Sequence, residues 1–484
     1  MNTDGELTGV KRLGMLAAQT LAARERHIME VVKKWRFDTV AVHGLYSMEE
    51  ALRFNQGAVI EPVYMSSSQG YADSDHMEAG LSYEAPSWCY SRIGNPSMFY
   101  LEATLALLEG YGIDALTDCC SFASGMAAIV NAIEPFLVRR SARCCERMNF
   151  VSSCQLYGGT FQQFAERQMK DKGVDVRWVV DPNDMNEWEE KIDGETRFIY
   201  GEMPSNPGQS FFDLEAVSAL AHARGIPVII DSTVATPALF RPLCHGADVV
   251  VQSVTKSMSS SGFGIAGALI SRRDITSTVD IPGLKSNFAQ YVKCLPGRDN
   301  GSSISPLQAI LSLSDIRGIR PRMDMLSRSS QKVAEFLERH PRVESVNYLG
   351  LQSNPLHKLA SRYMILADSE QDYGTQVNRY GHLLSFCVAG THKDTRRFFD
   401  ALGMIYRATD LGRIKSVATI PAISTHSQQG EEARQMSKVP STMVRLCVGG
   451  EAPEDIIADL DQALASIGRP RKAKPKPPTF AVGG

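Results

Sequence analysis

Two short groups of polar residues, each directly after an apolar run, could together perform chemistry on a bound cofactor. The first is Asp231-Ser-Thr, after Ile226-Pro-Val-Ile-Ile, and the second is Ser253-Val-Thr-Lys256, after Asp248-Val-Val-Val-Gln252. Short apolar runs of this kind are typical of buried strands, and ligands of open parallel sheets bind beyond the carboxyl ends of the strands. We therefore expect both groups to converge on one crevice.

The side chains of these groups match the needs of a pyridine aldehyde cofactor, pyridoxal 5'-phosphate (PLP). Such a cofactor requires a lysine for its aldehyde, a carboxylate that keeps the ring nitrogen protonated, and donors for its phosphate. Lys256 would supply the amine and Asp231 the carboxylate, which would be costly at the end of an apolar run without a cationic partner. Either residue alone is more typical of a solvated loop lysine or a helix N-cap, so the interpretation depends on the pair and on further segments.

A third segment could bind the phosphate. Ser124-Gly125-Met126 opens an apolar helical run, Ala127 to Ile133, after a strand-like stretch around Cys119 to Phe122. The first turn of a helix presents free N–H groups and the positive end of the helix dipole, which suits an anion. Without the other two groups, this segment would indicate only a helix cap.

The elements that must position these residues alternate between strand and helix. The strand candidates of the central part are Val176 to Val180, Phe198 to Tyr200, Pro227 to Ile230, Asp248 to Gln252 and Ala266 to Ile270. This alternation predicts an α/β fold with a mostly parallel sheet that helices cover on both faces.

The flanking regions predict further elements. Residues 6 to 36 have the spacing of an amphipathic helix, and a long helical pattern runs from beyond Ser305 towards Pro341. A smaller α/β unit should follow. Its strand candidates are Val343 to Tyr348, Leu383 to Val388 and Thr442 to Cys447.

Ordered motifs across nearly the whole chain, from about Thr39 to Ile467, resemble the Cys/Met-metabolism PLP family. That family includes cystathionine γ-synthase, cystathionine lyases, methionine γ-lyase and O-acetylhomoserine sulfhydrylase. The motifs are Tyr90-Ser-Arg-Ile-Gly-Asn-Pro96, Leu107-Leu-Glu-Gly110, Ser124-Gly-Met126, Tyr157-Gly-Gly-Thr160, Glu202-Met-Pro-Ser-Asn-Pro207, Asp231-Ser-Thr-Val-Ala-Thr-Pro237, Gly246-Ala-Asp-Val-Val-Val-Gln-Ser-Val-Thr-Lys256, Thr425-His-Ser-Gln428 and Val444-Arg-Leu-Cys-Val-Gly449.

The resemblance implies a phosphate site shared between two subunits. Tyr90 and Arg92 would reach the phosphate of the neighbouring subunit. The residues that would line the phosphate in their own subunit are Ser124, Gly125, Met126, Ser253 and Thr255. A complete site would therefore require an oligomer.

The resemblance also implies roles around the pyridine ring. Lys256 would carry the cofactor and shuttle protons, Tyr157 would stack on the ring near the leaving group, and Asn206 would bind the ring hydroxyl. Asp231 would pair with the ring nitrogen, and Arg445 would hold the substrate carboxylate through a bidentate contact.

The implied fold is the aspartate aminotransferase-like fold type I, with a large mostly parallel mixed sheet domain and a smaller C-terminal α/β domain. We divide the chain into four parts: a helix and arm contacting the neighbouring subunit (1–89), a large PLP-binding domain (90–310), the smaller domain (311–467) and a disordered, basic, proline-rich tail (468–484). The implied assembly is a homotetramer made of two dimers.

The activity that we predict first is γ-replacement on an O-acyl-homoserine, giving cystathionine or homocysteine. Its basis is Ser424-Thr-His-Ser-Gln428, since sulfhydrylases of the family tend to read Thr-Thr-His-Ser-Gln there. The alternatives are a γ-lyase acting on cystathionine or methionine, a cystathionine β-lyase, and a catalytically impaired relative with a binding role.

Several positions depart from the family pattern. The loop after the cofactor lysine, which usually contains Gly-His, reads Ser257 to Gly264, and Gln252 stands where His is usual. Asp410-Leu-Gly412 replaces a Ser-Leu-Gly element near the substrate, with Arg413 and Lys415 beside it. These departures bear on the substrate more than on the cofactor.

Composition agrees with a cytoplasmic metabolic enzyme. A net charge of −3 over 484 residues gives no field that would attract nucleic acid or acidic lipid. The ten cysteines contain no C-x-x-C pair, which argues against a metal site and favours reduced thiols. No segment has the roughly 18 apolar residues of a membrane span. We expect amino-acid substrates and copies of the chain itself as partners.

Overall fold

The computed structural model describes residues 9–85, 88–138 and 148–467. The predicted tail, 468–484, lies outside the described residues. The α-helices are α1 (Gly9–Glu30), α2 (Phe37–His43), α3 (Met48–Phe54), α4 (Ser74–Leu81), α5 (Pro96–Glu109), α6 (Gly125–Ile133), α7 (Gly158–Gln162), α8 (Met185–Lys191), α9 (Leu214–His222), α10 (Thr236–Leu239), α11 (Phe288–Val292), α12 (Arg298–Asn300), α13 (Pro306–Ile316), α14 (Ile319–Arg339), α15 (His357–Tyr363), α16 (Ser369–Tyr373), α17 (His392–Ala401), α18 (Gly430–Met436) and α19 (Pro453–Leu464).

Seven strands form the large sheet, in the order β1-β7-β6-β5-β4-β2-β3. They are β1 (Thr117–Phe122), β2 (Asn149–Ser153), β3 (Asp175–Val179), β4 (Thr196–Glu202), β5 (Val228–Asp231), β6 (Val249–Gln252) and β7 (Gly267–Arg272). Strands β2 to β6 are parallel, and β7 runs antiparallel to both β6 and β1. The predicted α/β class with a large, mostly parallel mixed sheet is confirmed.

Alternate residues of the central strands point to opposite faces of this sheet, and both faces are covered. Ile230 and Val250 belong to one buried apolar cluster, whereas Ile229, Val249 and Val251 belong to another. A parallel sheet with both faces buried reads as a continuous apolar run, which is why β5 and β6 were predictable. Strand β2 was not predicted, because three of its five residues are polar, although all five are buried.

A second, smaller sheet has five strands in the order β10-β11-β12-β9-β8. They are β8 (Val343–Asn347), β9 (Leu383–Val388), β10 (Tyr406–Arg407), β11 (Val417–Thr419) and β12 (Met443–Cys447). The long helical pattern after Ser305 proves to be two helices, α13 and α14, that are separated at Arg317 and Gly318. Glycine weakens a helix interior, which explains the interruption.

The predicted amphipathic helix of residues 6 to 36 is α1, followed by a short turn of 3₁₀ helix, Val32–Lys34. It attaches to the body by charged side chains: Arg24 lies 4.8 Å from the centre of the Phe99 ring, and Glu25 pairs with Arg273 at 2.6 Å. Among the described helices, none is both long and apolar enough to cross a bilayer.

A buried carboxyl lies beneath the end of β6. Glu109, the last residue of α5, is fully buried, and Gln252 donates a hydrogen bond of 2.6 Å from Nε2 to its Oε1. Burial raises the pKa of Glu109 to about 8, against the smaller opposing effects of Gln252 and Arg241. At neutral pH the folded protein therefore retains a proton that the unfolded chain releases.

This buried proton predicts a pH-dependent stability. Because the unfolded glutamate ionises near pH 4.5, the native state binds the extra proton between that pH and about 8, and stability falls as pH rises through this window. From pH 5.5 to pH 8, we expect the free energy of unfolding of Glu109→Gln to rise by on the order of 3 kcal/mol relative to that of the wild type. Urea unfolding at the two pH values measures this, with the exposed Glu195→Gln as the control. Equal pH dependence of wild type and Glu109→Gln would contradict the assignment.

Candidate active site

The carboxyl ends of β4, β5 and β6 lie side by side, at Glu202, Asp231 and Gln252. The loops that follow are joined by hydrogen bonds. Ser253 donates its backbone N–H to Thr233 Oγ1 at 2.8 Å, and Ser232 donates its N–H to Val251 O at 3.2 Å. The two groups predicted to converge are therefore together at one edge of the large sheet.

Lys256 lies in the turn after β6, and its side chain is 26% exposed. The turn is closed by Lys256 N–H to Ser253 O at 3.0 Å and by Ser259 N–H to Lys256 O at 2.9 Å. Its amine forms an ion pair with Asp410, with 2.6 Å between Nζ and Oδ1. The amine is thus held at the junction of the large and small sheets.

The loop that departs from the family pattern after Lys256 is fixed by two arginines. Arg322 of α14 donates to the carbonyl oxygens of Ser257 and Met258 at 3.2 and 3.1 Å. Arg413 donates to those of Thr255 and Ser259 at 2.8 and 3.1 Å.

Asp231 is 6% exposed and accepts the Thr233 N–H at 2.9 Å. Burial raises the pKa of Asp231 to about 6, while its hydrogen bonds with Thr233 and Tyr200 oppose the shift. Within the described residues, no cation contributes to that balance. A buried carboxylate without a cation is costly, so a protonated pyridine nitrogen would stabilise it.

The first turn of α6 packs against the loop after β6. Ser124 caps the helix by accepting the Ala127 N–H at 3.1 Å, and a Cβ added to Gly125 would lie 2.6 Å from the Ser253 Cβ. Only glycine allows this approach, which brings the helix N-terminus beside Ser253. Met126 is half-buried in the same turn. The arrangement suits a phosphate.

Thr255 is anchored differently from its neighbours. Its hydroxyl donates to Ala266 O at 3.0 Å and accepts the Ala266 N–H at 2.9 Å. Since a hydroxyl has one hydrogen, a phosphate bond from Thr255 would require the exchange of the first of these bonds.

The buried carboxyl of Glu202 holds Tyr157 and Asn206. Its sequence motif predicted no role for it. Glu202 accepts the Tyr157 N–H at 2.6 Å and the Asn206 N–H at 2.7 Å, one on each carboxyl oxygen. Burial, and then the charge of Asp231 opposite it, raises the pKa of Glu202 well above its usual range. Its position at a strand end beside Asp231 was the signal that could have identified it.

Arg445 of β12 is 1% exposed and reaches across from the small sheet. It donates to Asn206 Oδ1 at 3.1 Å and to the carbonyl oxygens of Thr409 and Asp410, both at 2.8 Å. Its Nε is buried and has no partner in the structure. An unpartnered guanidinium donor of this kind fits a missing anion such as a carboxylate.

Tyr90 and Arg92 are not brought to this site by the chain itself. Tyr90 is 46% exposed and forms an isolated bridge with Ser68. Arg92 is exposed, donates to Arg298 O and lies 5.7 Å from the Tyr90 ring centre. Within the described residues, the hydrogen bond, ring contact and bridge formed by these two residues involve partners other than Lys256 and Asp231.

The residues present fit pyridoxal phosphate. The fit rests on three features of the chain: the buried carboxyl of Asp231 without a cation, the glycine-lined helix N-terminus at Ser124, and the unpartnered Arg445 Nε. Lys256, which offers an amine for the aldehyde, lies in the turn after β6. That turn contacts the first turn of α6 at Gly125 and the loop after β5 at Thr233. No group of side chains in the described residues could hold a metal ion.

Comparison with known proteins agrees with this geometry. The sequence model of the Cys/Met metabolism PLP-dependent enzyme family matches residues 38–465. The chain is 32% identical to an O-acetyl-L-homoserine sulfhydrylase of Corynebacterium glutamicum, over 90% of this chain and 98% of that protein. It is 34% identical to an L-methionine gamma-lyase of Pseudomonas deceptionensis, with the same coverage.

A solved structure has the same fold. It is a putative O-acetylhomoserine (thiol)-lyase from Campylobacter jejuni, determined with a pyridoxyl-lysine phosphate adduct. Its TM-score is 0.78 at 31% sequence identity, and the match covers 89% of this chain and all of that one.

Proposed function

Since this chain belongs to the Cys/Met metabolism PLP-dependent enzyme family, we propose that it catalyses γ-replacement on an O-acyl-homoserine, giving homocysteine or cystathionine. The observation that carries the proposal is that the segments bearing Lys256, Asp231 and Arg445 are joined to one another: Asp410 contacts both Lys256 and Arg445, and Ser253 binds Thr233. These three residues offer an amine, a carboxylate for a ring nitrogen and a cation for a substrate carboxylate.

When bound, pyridoxal phosphate supplies an electron sink for the breaking of bonds at the substrate Cα and beyond. The residues divide the remaining tasks. Asp231 keeps a proton on the ring nitrogen, Arg445 binds the substrate carboxylate through its free Nε, and Lys256 Nζ moves protons between substrate carbons. Tyr157 and Asn206, which Glu202 holds through their backbone N–H groups, would contact the ring face and the ring hydroxyl respectively.

The phosphate is bound by the first turn of α6 and the loop after β6. Ser124, Gly125 and Met126 contribute the helix N-terminus, and Ser253 and Thr255 contribute the loop. The free N–H groups and the dipole of α6 supply the attraction.

We further propose that two subunits complete each site and that two such dimers form a tetramer in the cytoplasm. Tyr90 and Arg92, which are exposed, would bind the phosphate of the neighbouring subunit. The arm before them exposes apolar side chains without regular structure: Val59 is 87% and Met65 66% exposed. Apolar exposure of this extent favours contact with a second subunit.

The second candidate function is γ-elimination, as in a methionine γ-lyase. It is favoured by relatives with that name at 29–34% identity over at least 86% of this chain. Replacement and elimination share the loss of the leaving group from Cγ. In replacement a thiol then adds at Cγ, whereas in elimination the unsaturated amino acid is released and water hydrolyses it to a 2-oxo acid and ammonia.

A direct comparison of substrates tests the choice. The holoenzyme is given O-acetyl-L-homoserine with sulfide or cysteine, and separately methionine or cystathionine alone. We expect homocysteine or cystathionine from the first mixtures, with kcat/KM at least about tenfold above 2-oxobutyrate formation from the second. Faster release of 2-oxobutyrate from methionine or cystathionine would replace the proposal by the lyase.

A further inference from the structure

The residue that contacts the Lys256 amine is a carboxylate that the rest of the site does not use. Asp410 Oδ1 lies 2.6 Å from Lys256 Nζ, and its Oδ2 accepts from Arg413 Nε. Burial would raise the pKa of Asp410, but the hydrogen bonds and charges of Lys256 and Arg413 outweigh burial and lower it. Asp410 is therefore an anion beside the amine.

Arg413 fixes the position of this anion relative to the lysine turn. Besides Asp410, it donates to the carbonyl oxygens of Thr255 and Ser259, one on each side of Lys256. A Cβ added to Gly412, between Asp410 and Arg413, would lie 2.6 Å from the Lys256 carbonyl carbon. The 410–413 segment is thus packed directly against the backbone of Lys256.

The charged groups around Asp410 come from three elements. Lys256 approaches from the loop after β6, Arg413 from its own segment, and Arg445 from β12, where it donates to the Asp410 carbonyl oxygen at 2.8 Å. Beneath Gly412, Cys447 accepts the Gly412 N–H at 3.1 Å and lies 3.5 Å from His382 Nδ1. Of the carboxylates near Lys256, only Asp410 forms an ion pair with it in the described residues.

We propose that Asp410 is a positioning residue whose charge keeps the cofactor-linked Lys256 nitrogen protonated. The inference rests on the proposed function, because it requires Lys256 to carry the cofactor. A serine, which the family usually has at this position, could orient the nitrogen but not hold its proton by charge. Asp410 therefore gives this chain a charge that its family pattern lacks.

The consequence is a shift in the pH at which the cofactor-linked nitrogen loses its proton. An opposite charge at ion-pair distance shifts a titration by roughly 1 to 3 pH units. Protonation of this nitrogen makes the carbon to which it is linked more electrophilic towards an incoming substrate amine. When the substrate displaces Lys256, the freed amine remains beside Asp410, whose charge would stabilise the proton that the amine takes from the substrate Cα until that proton is passed on.

The test is a spectroscopic titration of holoenzyme variants, without substrate. The visible absorption of the bound cofactor is followed against pH in the wild type, Asp410→Asn, Asp410→Ser and Arg413→Gln. We expect the midpoint to fall by about 1 to 2 pH units in both Asp410 variants. It should stay or rise in Arg413→Gln, since that variant retains the carboxylate and removes a competing cation.

The Arg413 variant separates charge from packing. If Asp410 served only to hold the loop, loosening the loop through Arg413 would shift the midpoint in the same direction as the Asp410 variants, and the proposal would be overturned. An unchanged midpoint in Asp410→Asn or Asp410→Ser would also overturn it, as would loss of the cofactor from both. If Lys256→Ala kept a cofactor that borohydride fixes to the protein, the proposed function would fail instead.

Discussion

Replacement of Lys256 by alanine is expected to lower kcat by roughly 10³-fold or more and to remove the covalent attachment of the cofactor. The single amine is assigned two tasks, the linkage to the aldehyde and the transfer of protons between substrate carbons. Its ion pair with Asp410 and the turn around it place it where both tasks are possible. Steady-state kinetics with O-acetylhomoserine and sulfide, together with the visible spectrum, measure the two losses.

The matched control is Lys415→Ala, which removes a nearby lysine whose amine lies 4.9 Å from the Tyr406 ring centre. Within the described residues, the Lys415 amine contacts Tyr406 and forms no hydrogen bond or ion pair with the turn after β6, so its loss should change kcat by less than about threefold. Turnover by Lys256→Ala at the wild-type rate would refute the assignment of the cofactor amine.

Replacement of Asp231 by asparagine is expected to lower kcat by about 10² to 10³-fold while the cofactor remains attached. An amide cannot hold a proton on the ring nitrogen, so the ring becomes a weaker acceptor of electrons. The visible band of the cofactor should persist while kcat falls. This combination distinguishes loss of the partner of the ring nitrogen from loss of the cofactor itself. With burial raising the pKa of Asp231 to about 6, cofactor affinity of the apo-protein should also weaken below that pH, as the carboxyl becomes neutral.

Asp248→Asn is the control for this variant. Asp248 is also buried, 3% exposed, but it precedes β6 at the opposite end of the strand from Lys256. It accepts the Val228 N–H at 2.8 Å and pairs with His222 at 2.8 Å. We expect it to lower stability and leave the kcat of the folded holoenzyme within about threefold of the wild type. Equal losses of kcat in Asp231→Asn and Asp248→Asn would contradict the role of Asp231, because they would show that an amide in place of any buried carboxylate lowers kcat.

The local part of the site was predictable because its signals are contiguous in sequence. An apolar run followed by Asp231, and another followed by Ser253 and Lys256, describe parallel strands and the residues beyond their carboxyl ends. The N-terminus of α6 was predictable for the same reason, since Ser124 caps a continuous apolar helix. In each case the residue that acts lies within four positions of the pattern that reveals it.

The long-range part was not predictable from one sequence. The contact between Lys256 and Asp410 joins residues 154 positions apart, and that between Asn206 and Arg445 joins residues 239 apart. Motif resemblance supplied Arg445, but nothing local indicates that Asp410 faces the amine. Glu202 was missed as a support because its two acceptor bonds go to backbone N–H groups, so only its position at a strand end beside Asp231 could have indicated it.

Strand β2 and the helix break at Gly318 show the limits of periodicity. Three of the five residues of β2 are polar, and its position between β3 and β4 overrides that composition. The pattern across α13 and α14 continues through Gly318, so the apolar spacing alone does not reveal that the chain divides there.

The most direct test of the central claim locates the cofactor on the chain. The holoenzyme is reduced with borohydride and digested, and the peptides are sequenced by mass spectrometry. We predict a phosphopyridoxyl group on Lys256 and on no other lysine. Its recovery on a different lysine, or full release of the cofactor after reduction, would contradict the account.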